Sequence, residues 1–345
     1  MNTLLITGGC GFVGSNLASE ALHRQINLIV LDNLSRFGSR ENLSWLQSLG
    51  KFTFIEGDIR ESEVLENSIR KYQPDAVFHL AGQVAMTTSL EDPLLDFEIN
   101  AKGTLHVLEA IRKHSPETPI LYSSSNKVYG DFQELVFEEE KSRYVCPNWP
   151  DGFDETMQLN FHSPYGCSKG CADQYLLDYA RVFGLKTVVF RHSSMYGSRQ
   201  FATADQGWVG WFIQQAIETS IDSERPPFTI SGTGKQVRDL LHADDVIRLY
   251  YSACEHIDQV SGEAYNIGGG VQNSLSLLEL FTFLNNELHI NLSYTQTDWR
   301  LSDQRVFIAN LEKIQSSLHW QPTVDYRDGI RSMITWMQEM LCPAK

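Results

Sequence analysis

Thr3-Leu4-Leu5-Ile6-Thr7-Gly8-Gly9-Cys10-Gly11-Phe12-Val13-Gly14 is the stretch that decides the fold. The apolar run Leu4 to Thr7 leads straight into a glycine cluster that fits GxxGxxG from Gly8 and GxGxxG from Gly9. A helical pattern, Ser15 to His23, follows. Such a motif alone is weak, but strand before and helix after give it meaning. Gly8 and Gly11 permit a tight turn and close approach of the backbone to a pyrophosphate. Gly14 lets helix and strand pack closely, and the helix N-terminus faces the phosphates.

Outward from this unit, short β-branched runs alternate with longer amphipathic ones. Leu28 to Leu31, Phe52 to Ile55, Ala76 to Leu80, Ile120 to Ser123 and Thr187 to Phe190 read as buried strands. Asn100 to His114 carries Leu105, Leu108 and Ile111 on one helical face, and Pro93 suits a helix start. The alternation predicts an α/β fold with a doubly wound parallel sheet covered on both faces. After Tyr196 the pattern becomes irregular, around Trp208, Trp211, Pro226 and Pro227. Residues 1–195 are therefore expected to form a dinucleotide-binding domain. Residues 196–345 are expected to form a smaller C-terminal α/β substrate lobe, interleaved with the first and grown from the strand ends.

Composition narrows the function. Of 345 residues, 42% are hydrophobic and 21% charged, which is ordinary globular usage. Acidic residues outnumber basic ones 43 to 28, for a formal charge of -15. That excess argues against nucleic acid or an anionic membrane as partner. It leaves room for a small anion held by a few local groups. Cys10, Cys146, Cys167, Cys171, Cys254 and Cys342 are scattered without a CxxC pair, so no metal site is expected and free thiols in a reducing compartment are. Met1 to Gly9 lacks a basic n-region, and no run reaches the ~20 apolar residues of a membrane helix. A cytoplasmic protein is expected.

Asp32 ends the second strand, eighteen residues past Gly14. This is close to the separation of about 20 at which an acid meets the adenosine ribose. A carboxylate there accepts from two ribose hydroxyls and repels a 2′-phosphate, which favours NAD over NADP, although Arg36 stands close enough to hold that phosphate. Tyr165 and Lys169 sit four apart, on one face of a helix. An ammonium beside a phenol is expected to lower its pKa and ready it for proton transfer. Ser123-Ser124-Ser125 ends the fifth strand, where loops meet the crevice of such a sheet.

Glycine loop, strand-end acid, strand-end serine and YxxxK, in that order, resemble the extended short-chain dehydrogenase/reductase family, the nucleotide-sugar epimerases and dehydratases with a Rossmann sheet. ITGGCGFVGSN, LDNLS, GDIR, HLAG, SSSNKVYG, SPYGCSK and GKQVRDLLHADD carry the likeness over essentially the whole chain. The resemblance implies Ser125, Tyr165 and Lys169 as the catalytic set. It implies NAD bound by Gly8, Gly11, Phe12, Val13, Gly14, Asp32, Asn33, Ser35, Arg36, Asp58, Ile59, Leu80, Ala81, Gly82 and Asn100, besides Tyr165 and Lys169. Substrate would meet Gln83, Ser125, Asn126, Ser194, Gln206, Gly207 and Trp208, the tryptophan being equally at home in a core. Arg238 would hold the substrate diphosphate, with Arg300 and Arg305 as candidates for a second clamp.

Several longer runs, among them FRHSSMYGSRQFATADQGWVGWF, are similar to the members acting at carbon 2 of a CDP-linked 3,6-dideoxyhexose. That carbon has no acidic hydrogen, so the resemblance implies a redox route. The Tyr165 phenolate takes the hydroxyl proton, hydride leaves to NAD, and the 2-keto sugar turns over before hydride returns to the opposite face. Cytidine rests on the resemblance alone. The family's dehydratases carry an Asp-Glu pair after the catalytic Ser or Thr; here Asn126 and Lys127 stand there, which speaks against dehydration. A UDP- or GDP-sugar 4-epimerase is the alternative enzyme, and a sensor without catalysis the alternative class. A dimer or tetramer of identical chains is expected from family likeness. The polar segment Phe132 to Asn160 reads as a solvated loop without function, rather than a cover over the pocket.

Overall fold

A computed structural model gives the fold and describes residues 1–300 and 302–341; Cys342 lies outside them. The expected strands form as β1 (Thr3–Thr7), β2 (Asn27–Asp32), β3 (Thr53–Glu56), β4 (Ala76–His79), β5 (Ile120–Ser125) and β6 (Thr187–His192). A further strand, β7 (Glu263–Ile267), was not expected and completes the sheet. The order is β7-β6-β5-β4-β1-β2-β3, with every neighbouring pair parallel. The strand order reverses beside β1, flanked by β2 and β4, so a crevice opens there at the carboxyl ends of the strands.

Both faces of the sheet are buried, which is why the strands read as continuous apolar runs rather than alternating ones. Leu4, Ile6, Leu28 and Val30 pack on one face against Leu17 and Ala21 of α1 (Phe12–His23) and Leu46 of α2 (Ser39–Leu49). Leu5, Ile29 and Leu31 pack on the other. There they meet Leu65 of α3 (Ser62–Tyr72), Val107 and Ile111 of α5 (Gly103–His114), and Leu176 of α6 (Ser163–Phe183), while a short helix α4 (Pro93–Phe97) packs against α6. The expected Asn100 helix departs from plan at its start. Glu98–Lys102 is wound as a π turn before α5 takes over. Asp92 caps α4 by accepting from the Leu95 N–H at 3.0 Å, with Pro93 in the first turn.

The smaller lobe is built on α7 (Trp208–Ile221), with Phe212 and Ile213 packed against Leu280, Phe281 and Met333. Its central strand, Val237–His242, pairs with Ser194–Tyr196, Ser274–Ser276 and Val306–Phe307. Between these pieces the chain returns to the large sheet. Helix α8 (Ala243–Glu255) puts Leu249 and Tyr250 into the same apolar cluster as Leu4 and Phe78, and β7 then joins the sheet edge beside β6. Among the described residues no helix is long and apolar enough to cross a membrane.

Phe132 to Asn160 is not a solvated loop. Phe132 and Phe153 are each 1% exposed, with ring centroids 4.5 Å apart, and stack with Tyr129 and Phe307. The Phe153 N–H donates to the Ile308 carbonyl at 2.7 Å, and the Tyr144 N–H to Lys235 at 2.9 Å. The acidic run Glu138 to Glu140 concealed this, because the buried aromatics lie to either side of it. The segment also stays off the crevice, so it brackets one lobe against the other. Phe153→Ala is expected to cost about 3–5 kcal/mol of stability, read from denaturant unfolding. A loss below about 0.5 kcal/mol, as for a surface position, would restore the solvated-loop reading.

Candidate active site

The crevice holds one cavity of about 630 Å³ between the sheet and the smaller lobe. Its floor is the glycine turn. Gly8 has φ +70°, and a Cβ there would stand 2.6 Å from the Ala81 nitrogen. A Cβ on Gly14 would overlap the Gly8 carbonyl oxygen. Those two positions are therefore closed to any side chain. Helix α1 starts at Phe12 with Gly11 as its cap and no capping side chain. The N–H groups of its first turn are thus left for an anion. Asp32 is 8% exposed and accepts from the N–H groups of Cys10 and Leu34, both at 2.8 Å. Burial pushes its carboxyl above the usual range, against the pull of those two bonds. Asn33 donates to Asp58 at 2.9 Å, and Arg60 holds Asp58 down at about 2.

These residues fit a dinucleotide: a turn held to glycine at Gly8 and Gly14, uncapped amides for the phosphates and a carboxylate at the end of β2. Five residues lining the cavity carry a buried polar atom with no protein partner: Ser39 Oγ, Asn42 Oδ1, His192 Nδ1, Gln200 Oε1 and Gln206 Oε1. A ligand of alternating polar groups suits such a wall.

Deeper in, β5 and α6 bring the reactive side chains together. Ser125, at the end of β5, accepts from the Lys127 N–H at 3.2 Å. Tyr165 and Lys169 lie one turn apart on α6, 9% and 4% exposed. Burial pushes the Tyr165 phenol up to about 12, and the nearby Ser125 hydroxyl only partly opposes this. The expectation that Lys169 lowers the phenol is thus not met in the free chain. Loss of water around the ring dominates, and Asp96 adds to it. The Lys169 ammonium donates to the Ser123 carbonyl and lies 4.5 Å over the Tyr122 ring. Burial lowers it to about 7, with Asp96 and Asp173 holding it up.

The frame behind them is a buried ion pair. Arg191 of β6 donates twice to Asp173 of α6, both bonds 2.9 Å, with side chains 5% and 1% exposed. Ser124 donates to the same carboxylate at 2.9 Å, and Arg191 reaches the Tyr129 hydroxyl at 2.9 Å. Tyr129 in turn donates to Asn266 of β7 at 2.8 Å.

Most expected site residues line the cavity. Gly8, Gly11, Phe12, Val13, Gly14, Asp32, Asn33, Ser35, Arg36, Asp58, Ile59, Leu80, Ala81 and Gly82, expected to meet the cofactor, line one part, and Gln83, expected to meet substrate, adjoins them. Ser125, Asn126, Tyr165, Lys169, Ser194 and Gln206 to Trp208 form the rest. Trp208 donates to Ser194 at 2.9 Å and lines the cleft while also packing against the core of the smaller lobe. Four expected residues are not on the wall. Asn100 is 1% exposed and its amide is spent on Gln83, Asp96 and Ser168. Arg238 is buried and bonded to Asp303 at 2.7 Å. Arg300 sits at the surface, 3.4 Å from Ser231 and Ala204. Arg305 is exposed and lies over the Tyr144 ring.

Sequence reading missed Lys127, whose ammonium lines the cavity 3.5 Å from Asp303 and is lowered by burial to about 8. Its signal was the spacing of two from Ser125. The strap 198–206 was also missed. It crosses from the smaller lobe onto α1 and α2, where Asn16 bonds the Ser198 carbonyl at 3.0 Å, Asn42 that of Arg199 at 3.3 Å, and Arg199 covers Trp45. Phe201 fills the space over Gly38, where no Cβ fits.

Residues 4–268 match the family model described as the NAD dependent epimerase/dehydratase family. The chain is 58% identical over 333 residues to a CDP-paratose 2-epimerase of Salmonella typhi, covering 96% of this chain and 98% of that one. Its fold is similar to that of a UDP-glucose 4-epimerase of Thermotoga maritima solved with UDP-glucose, at 28% identity and TM-score 0.83, covering 98% and 99% of the two chains. The Thermus thermophilus UDP-glucose 4-epimerase solved with NAD gives 28% identity and TM-score 0.81, covering 97% and 99%. Glycine turn, strand-end carboxylate, buried Ser125-Tyr165-Lys169 group and a match over most of the length lead to one conclusion: the chain belongs to the NAD dependent epimerase/dehydratase family.

Proposed function

We propose that the enzyme inverts carbon 2 of a CDP-linked 3,6-dideoxyhexose, interconverting CDP-paratose and CDP-tyvelose, with NAD retained throughout. The observation that carries this reading is the meeting of Ser125, Tyr165 and Lys169 on one cavity wall, in a chain 58% identical to a CDP-paratose 2-epimerase. When bound, NAD supplies reversible two-electron oxidation at a sugar carbon. The rest falls to the protein. Tyr165 Oη takes the proton of the sugar hydroxyl and returns it. The Lys169 ammonium stabilises the phenolate, and Ser125 orients the reacting oxygen and meets its developing charge.

The expected cofactor residues are assigned to NAD as they line the cavity, with Asp32 on the adenosine ribose. Arg36 is engaged by Thr203 at 3.4 Å and by the charge of Asp205, which supports NAD over NADP. Gln83, Asn126, Ser194, Gln206, Gly207 and Trp208 are assigned to the sugar nucleotide. Asn126 and Lys127 present no carboxylate where the family's dehydratases carry an acidic pair, and Asp303 is engaged by Lys127 and Arg238, which speaks against elimination of water. Arg238 is assigned to the diphosphate, which would replace Asp303 as its partner. The free thiols of Cys10 and Cys146 suit a cytoplasmic enzyme. Exposed Leu94, Phe97, Val182 and Phe183 support a homo-oligomer.

Protein purified without added cofactor is expected to release NAD on denaturation and to interconvert CDP-paratose and CDP-tyvelose. Solvent deuterium at carbon 2 would contradict direct hydride return, and turnover of UDP-galactose alone would make the enzyme a 4-epimerase. Tyr165→Phe is expected to slow turnover roughly 100-fold or more while bound NAD is kept. An active Tyr165→Phe protein removes the role given to that phenol.

A further inference from the structure

Behind Tyr165 and Lys169 lies a buried carboxylate that the proposed reaction does not use. Asp96, in α4, is 1% exposed, and every bond it makes is to the active-site frame. One oxygen accepts from Gln83 Nε2 at 2.8 Å and from Asn100 Nδ2 at 3.2 Å. The other accepts from the hydroxyl of Ser168, the residue before Lys169. Asn100 closes the knot. It bonds Ser168 at 3.0 Å and the Gln83 carbonyl at 3.0 Å, and accepts from the Gln83 N–H at 2.9 Å. The π turn Glu98–Lys102 begins directly after α4 and contains Asn100, so the extra residue in that turn sets how Asp96 and Asn100 face α6. Lys169 is adjacent: a Cβ on Gly82 would lie 2.9 Å from Asn100 Oδ1 and 3.7 Å from Lys169 Nζ.

Burying an ammonium disfavours its charge, and a fixed anion nearby restores it. We propose that Asp96 is a positioning residue of the redox site, a buried anion that fixes the Lys169 turn of α6 against the loop after β4 and keeps Lys169 cationic. The inference rests on the roles given above to Tyr165 and Lys169. Other groups around the ammonium supply less negative charge. Asp173 is neutralised by Arg191. His79 and His192 are held near 3 by burial and are neutral. Tyr122 is pushed well up by burial, so its ring stays uncharged. Asp96 also faces Tyr165 and opposes loss of its proton. Removing its charge therefore lowers the proton affinity of lysine and tyrosine together.

The holoenzyme tests this. In Asp96→Asn, both limbs of the pH–turnover profile are expected to move to lower pH by on the order of one unit, with bound NAD kept. Asp96→Glu, which retains the charge on a longer arm, is expected to turn over more slowly on an unmoved profile. If Asp96→Asn does not fold, Asp96→Ser removes the same charge with a smaller side chain that still accepts from Ser168, and the same shift is expected. A charge-free variant that binds NAD and keeps the wild-type profile, however slow, overturns the assignment, since a structural role alone lowers rate without moving the profile. So does an equal shift in Asp96→Glu. If Tyr165→Phe is inactive but the profile does not move, only Asp96 loses its role; if Tyr165→Phe is active, the reading beneath it fails first.

Discussion

Arg191 and Asp173 share two parallel hydrogen bonds where water scarcely reaches, and each would be costly to bury alone. Their geometry is correspondingly unforgiving. The pair joins β6 to α6, draws in Ser124 at the end of β5 and, through Tyr129, reaches Asn266 on β7. Ser125 follows Ser124 directly, and Lys169 is one turn of α6 before Asp173. The relative placement of hydroxyl, phenol and ammonium is thus inherited from a single buried contact between strand and helix. A bidentate fork suits this task because it fixes orientation as well as distance.

Around that frame the site manages charge by exclusion of water. Tyr165 and Lys169 have proton affinities displaced in opposite directions, up to about 12 and down to about 7. Both displacements disfavour the charged form and have the same cause. An active phenolate and ammonium have to be restored by what surrounds them, by Ser125 on one side and fixed carboxylates on the other. Around Asp303 the logic is similar. Lys127 and Arg238 share Asp303, so two cations are kept in a dry site with one internal anion between them.

Much of this was legible in the sequence because it depends on local pattern. Six strands announced themselves as β-branched runs, and the glycine spacing fixed the cofactor turn. Strand β7 did not, since Glu263-Ala264-Tyr265-Asn266-Ile267 mixes polar and apolar residues and pairs with a strand more than seventy positions earlier. Spacing also says nothing of which way an arginine turns: Arg238, Arg300 and Arg305 share a residue type but not a surrounding, one buried on Asp303 and two at the surface. The lysine beside Tyr165 was read by proximity, whereas burial decides its effect. Asp96 stood unnoticed in an acidic stretch because its partners come from Gln83 and Ser168, far along the chain.

The return of the chain through α8 and β7 bears on how such a molecule can be recombined. Ala243–Glu255 covers the sheet face over Phe78, and Glu263–Ile267 closes its edge, yet both follow residues that belong to the smaller lobe. A chimera joined once after residue 195 would bring in, with its foreign substrate lobe, a foreign helix and strand for the cofactor sheet. Exchange of the smaller lobe between relatives therefore calls for at least three junctions, one after residue 195 and one on either side of residues 243–267. Single-junction hybrids inherit a mismatched core.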